Sequence, residues 1–202
     1  MRRGTTMLTR AICGAAVVSL LVSTAAFAGW RQEASAFDAQ RLSRLQESKA
    51  KGLQEASAGP DMATIHEVLG PRSNPIGERE ALGDWHCRTI KLGGMTPSKV
   101  YSWFHCRVSH RGGGLYLEKL TGSDRVNGYL YPDRSGGLVL LGANTVTGEP
   151  ERHYSGDGAS VGAAATPDDA VGVMTSIGPG HARVEFPYPV QESTFDVLEM
   201  KR

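Results

Sequence analysis

The chain has 202 residues, enough for one domain and hardly for two. Its 22 Lys and Arg against 21 Asp and Glu give a net charge of +1, which excludes a strongly basic nucleic-acid binder and a charge-driven disordered chain. An apolar fraction of 40% suffices for an ordinary core, yet 25 Gly stand against 5 Phe and 3 Trp, so turns are plentiful and bulky core residues few.

Arg2, Arg3 and Arg10 precede an uncharged run, residues 11–28, that ends in Ala26-Phe27-Ala28. A positive start, an apolar middle and a small-x-small end make a secretory signal peptide, so residues 1–28 are read as one, cleaved after Ala28. A membrane anchor fits less well, because the run is rich in Ala, Ser and Thr and no stop-transfer charges follow it. Cys13 lacks the Leu-x-x lead of a lipoprotein, since Arg10 stands three residues before it. The mature chain is then periplasmic or secreted, mildly acidic and without a membrane span. It keeps two cysteines, Cys87 and Cys106, which an oxidising compartment would join.

Residues 29–70 read as a helical arm. One helix is expected over 37–58, with Asp38 as N-cap and Leu42, Leu45, Lys49 and Leu53 on one thin apolar face. A second starts at Asp61, buries Ile65, Val68 and Leu69, and stops at Gly70-Pro71. Residues 71–83 form a linker rich in Pro, Gly and charge. From 84 to 202 short strands alternate with Gly, Pro, Asn and Asp: 84–92, 99–109, 115–121, 125–131, 138–143, 171–177, 181–186 and 194–200. Residues 155–170 read as a long loop of small residues. About eight strands at short spacing argue for an antiparallel barrel or sandwich.

The first hairpin is the best determined. If Cys87 and Cys106 lie directly opposite, the turn falls between Thr96 and Pro97, in the middle of Gly93-Gly94-Met95-Thr96-Pro97-Ser98. Trp85, Cys87 and Thr89 then share an inward face with Phe104, Cys106 and Val108. The outer face carries His86, Arg88, Ile90, Trp103, His105 and Arg107, with His86 opposite Arg107 and Arg88 opposite His105. Glu118 on the next strand comes opposite His105. This cluster reads first as a solvated face. It reads second as an anion site built on Arg88 and Arg107 beside Trp103. Two imidazoles among arginines make a poor metal site, so no metal is expected.

Other motifs carry little. Gly158-Ala159-Ser160-Val161-Gly162 matches a nucleophile pattern, but its flanks are neither a buried strand nor a helix. His153 and His181 lack an acid at a persuasive spacing. There is no P-loop, C-x-x-C or H-E-x-x-H, and no cofactor is called for.

Gly83-Asp84-Trp85 resembles the G-x-W start of the calycin group of small up-and-down barrels. That resemblance implies a Trp at the closed end of the barrel, covered by a cation from the last strand, here Lys201 or Arg202. Cys87–Gly94, Trp103–Arg107, Glu118–Ser123, Val139–Ala143 and Glu192–Glu199 resemble the domain-of-unknown-function family 4893. The arginine-rich helix from Arg41 to Leu53 fits as well, and only Asp124 departs, standing where an amide is expected. Membership implies an exported bacterial protein with paired cysteines and implies no reaction.

The expectation is therefore a mainly β chain with N-terminal helices and one disulfide, its strands closing into an eight-stranded up-and-down barrel. Its function is read as binding without catalysis in the cell envelope. The partner is a protein docked by the arm and outer face, as barrel protease inhibitors do, or a small ligand in the barrel. An enzyme would have to use His86, His105 and Glu118. Trp85, Phe104, Leu117, Val139 and Leu141 all facing inward would leave little cavity, which favours the protein partner.

Overall fold

The computed structural model describes residue 1, residues 29–156 and residues 168–202. The expected signal segment and cleavage site, Cys13, the Gly158–Gly162 pattern and most of the 155–170 loop lie outside the described residues.

Nine strands follow a simple meander: β1 (Gly83–Leu92), β2 (Ser98–Val100), β3 (Phe104–Arg111), β4 (Gly114–Lys119), β5 (Asp124–Pro132), β6 (Leu138–Val146), β7 (Asp169–Gly178), β8 (His181–Pro187) and β9 (Phe195–Lys201). Each pairs antiparallel with the next along the barrel wall, and β9 returns to pair with β1 from His86↔Lys201 to Leu92↔Phe195. The result is a closed eight-stranded antiparallel barrel, which leaves no long open edge. β2 and β3 act as one interrupted strand, both pairing with the same side of β1. The expected 99–109 strand is thus split at residues 101–103.

Cys87 and Cys106 do form the disulfide, with Cα atoms 5.8 Å apart. The expected register is corrected by two residues: Cys87 lies opposite Phe104, and Trp85 opposite Cys106. The bond therefore runs diagonally. A shift of two keeps every side chain on its face, so Trp85, Cys87, Cys106 and Val108 still point into the core. Closing a loop of this length should contribute ~3 kcal/mol.

One inward-filling expectation fails. Val139 and Leu141 point outward, into a cluster with Trp30, Ala34, Leu42 and Val171, while Leu138 and Leu140 fill the barrel. β6 is apolar on both faces because helices cover it from outside, so alternation could not give its phase.

The helical layer explains that cover. It comprises α1 (Trp30–Glu33), α2 (Ala36–Ser43), α3 (Leu45–Ala56), α4 (Met62–Leu69) and α5 (Glu78–Ala81). The expected 37–58 helix breaks at Arg44, and its N-cap is Ser35 rather than Asp38: the Ser35 hydroxyl accepts from the Asp38 N–H at 3.1 Å. α3 buries Ser48, Gly52 and Ala56 rather than a leucine stripe. Small residues let it approach closely; a Cβ on Gly52 would stand 2.7 Å from that of Phe195. Asp61 precedes α4 but does not cap it, its carboxylate accepting instead from the Ser98 hydroxyl at 3.1 Å. α4 closes a second cluster of Ile65, Val68, Leu69, Ile90, Leu92, Phe195 and Val197. The 71–83 stretch holds α5 as well as loop.

α5 seals one end. Trp85, 3% exposed, donates its indole N–H to the Ala81 carbonyl at 2.8 Å. The Arg202 guanidinium lies 4.1 Å from the centre of its ring and donates to the carbonyls of Glu80 and Leu82. Of the two cations expected there, Arg202 is the one used. No helix among the described residues is long and apolar enough to cross a membrane.

Candidate functional site

The residues nominated from sequence stay on the outer face but do not form one site. His86 and His105 are directly paired, their ring centres 5.2 Å apart and both exposed. Arg107 pairs with Asp84 at 2.6 Å rather than facing His86. Glu118 lies opposite Arg107, not His105, and its carboxylate goes to Arg111 at 2.7 Å. An acid–base trio of His86, His105 and Glu118 is thus not assembled.

Arg88 belongs to a different group, closed by a residue that the sequence reading passed over. Glu199 is fully buried on the outer face of β9 and accepts from Arg88 Nε at 2.6 Å. His181 Nε2 lies 2.8 Å and Lys201 Nζ 3.1 Å from its other oxygen. Arg88 also lies 4.5 Å from the centre of the Trp103 ring, and Trp103 is 40% exposed. Nearby, Arg183 is buried and donates to the Val68 and Pro71 carbonyls, which ties the C-terminal end of α4 to β8. Lys49 and Arg183 share Glu185. These charges fasten helices to the barrel wall, and each is already partnered.

The open chemistry lies at the barrel mouth, opposite the Trp85 end. There the inward alternation passes from Leu117 to Lys119, from Val126 to Asp124, and from Leu198 to Asp196. A cavity of about 250 Å³ results, floored by Val126, Ala170, Phe186 and Leu198 and rimmed by charge. The expected filling of the interior therefore applies to the Trp85 half and fails at this one.

Most rim charges are paired. Arg152 contacts Asp168 at 2.6 Å and Glu149 at 2.7 Å, Lys91 contacts Glu192, and Arg41 contacts Asp38 at 2.8 Å. Lys119 is 6% exposed and donates only to the Asp124 carbonyl, at 2.7 Å, with its ammonium 4.5 Å from the Phe104 ring centre. Burial pulls this ammonium below the ordinary lysine value; Asp124 opposes the shift, and Lys91 and Arg125 add to it. Asp196 accepts from the Ser193 hydroxyl at 2.6 Å. Burial pushes its carboxyl up to about 6, against the pull of Ser193 and Lys91. Two groups shifted by burial thus line the same cleft.

The Asp196 shift has a stability consequence. A carboxyl whose folded pKa lies above its unfolded value stabilises fully below the unfolded value, and that contribution is lost as pH rises through about 6. Asp196→Asn mimics the neutral form. Its stability relative to the parent should rise by about 2 kcal/mol between pH 3.5 and pH 7.5, discounted from the full shift because the residue keeps some solvent contact. Urea unfolding at both pH values measures this, and a flat difference would contradict the raised pKa.

Sequence offered one missed signal: Lys119 and Asp196 continue the inward phase of Leu115–Leu117 and of Leu198–Met200. Read as strand ends, they look solvated; in a closed barrel the same positions face the mouth.

The model of the family described as Domain of unknown function (DUF4893) matches residues 30–200. No curated protein and no solved structure matches the chain.

Proposed function

Since the chain belongs to that family, whose description assigns no activity, we propose that it is an exported, non-enzymatic barrel that binds a small molecule in its mouth. The observation that carries this reading is the change of lining along the barrel: apolar and sealed at Trp85, charged and hollow around Lys119 and Asp196. A concave, partly apolar space with a few convergent polar groups is the usual form of a ligand site. The buried disulfide supports export, because such bonds persist in oxidising compartments. Docking of a protein partner is the second reading, favoured by the exposed Trp103 flanked by Arg88 and Lys201.

Native mass spectrometry of the protein isolated from the export compartment tests the first reading. Expected is an excess mass that falls away on denaturation. A bare monomer in every preparation would favour the protein partner.

A further inference from the structure

Granting the ligand site at the mouth, we infer that its ligand is a compact organic carboxylate, anchored by Lys119 and Arg125 with its apolar body on Val126, Phe186 and Leu198.

Among the described residues neither Lys119 nor Arg125 has a carboxylate at ion-pair distance, whereas Lys91, Arg152 and Arg41 each have one. Lys119 uses one of its three donors on the Asp124 carbonyl, and Arg125 uses Nε on the Gly122 carbonyl at 3.3 Å. A buried ammonium without a counterion is costly unless something supplies the charge. Lys119 lines the cavity from an inward position, and Arg125, on the other face of β5 from Asp124 and Val126, lines it at the edge, so one anion at the rim can reach both. Fork-shaped guanidinium donors beside an ammonium suit the oxygens of a carboxylate.

Size and the remaining charges narrow the class. The space equals roughly eight waters at liquid density, which admits a small ring or short chain and no lipid. Asp124, Asp168, Asp169, Glu192 and Asp196 share the rim, so a singly charged anion is favoured over a doubly charged phosphate.

The test is an NMR titration of the full mature protein with benzoate, inorganic phosphate and benzyl alcohol. Benzoate is expected to give saturable shifts centred on Val126, Phe186 and Leu198. Lys119→Met, which keeps the stem and removes the charge, should weaken benzoate roughly tenfold or more. It should change the melting temperature little, since it removes a buried charge that has no ion-pair partner among the described residues. Arg125→Gln should weaken benzoate less, and Lys99→Met, on β2, not at all. Unchanged benzoate affinity in Lys119→Met, or tighter binding of phosphate than of benzoate, would overturn the inference. Saturable shifts at the mouth with benzyl alcohol but none with benzoate would also overturn it, while leaving the binding-site reading intact.

Discussion

Glu199→Ala is expected to destabilise the protein by about 3–5 kcal/mol, because it breaks a buried ion cluster from one side. The carboxylate is fully buried and is the shared acceptor of Arg88, His181 and Lys201. Arg88 and Lys201 also lie over the Trp103 ring, so their release would loosen that face as well. Removing the acceptor leaves the Arg88 and Lys201 charges close together where β1 and β9 meet, with Glu67 at 3.1 Å to take Lys201. Glu199→Gln keeps the shape and one acceptor but not the charge, and should fall between parent and alanine variant. Urea unfolding reads the difference. A loss below about 1 kcal/mol in Glu199→Ala would mean that the cluster rearranges at little cost.

Trp85→Ala should cost a similar amount, about 3–5 kcal/mol, for a different reason: it opens a cavity in the core. Its ring packs in the same cluster as Cys87, Cys106, Leu198 and Met200, and it holds α5 through the Ala81 carbonyl. Arg202 covers it and donates to two carbonyls of the same cap. Arg202→Ala should cost less, and the double variant should cost less than the sum, because the cation loses its ring in both. Additive costs in a thermal or denaturant series would contradict a coupled plug. Ligand binding at the mouth should survive Arg202→Ala, since the plug lies at the far end.

Much of this fold can be read in the sequence because its strands are short and punctuated. Gly136-Gly137 and Gly178-Pro179-Gly180 bound strands close to the observed ones, and positive-φ turns at Gly136 and Gly180 show why glycine stands there. Two cysteines were enough to place the first hairpin and its faces. They could not fix the register, because a diagonal pair and an opposite pair are both close enough to bond and differ by an even shift. The outward turn of Val139 and Leu141 was hidden for another reason: it depends on α1 and α2 covering β6, a contact between segments about a hundred residues apart in the chain.

The candidate site was legible only in fragments. Pairing His86 with His105 needed the true register, and Glu118 was drawn away by Arg111, seven residues earlier on the neighbouring strand. The acid that His181 lacked in its own neighbourhood is Glu199, brought in by the β8–β9 pairing. Lys119 and Asp196 needed a property that no local pattern carries, namely closure. Only when β9 returns to β1 do their inward positions become the lining of a cavity.

The most direct measurement is amide hydrogen exchange on the protein as isolated from the cells that make it, compared with the same protein unfolded, freed of any adduct and refolded under oxidising conditions. If the mouth is the site, the isolated form should show extra protection confined to Lys119–Val126, Asn144–Val146 and Pro189–Asp196, with the Trp85 end unchanged. No difference between the two forms, or a difference centred on His86, Trp103 and His105, would contradict a ligand held in the mouth.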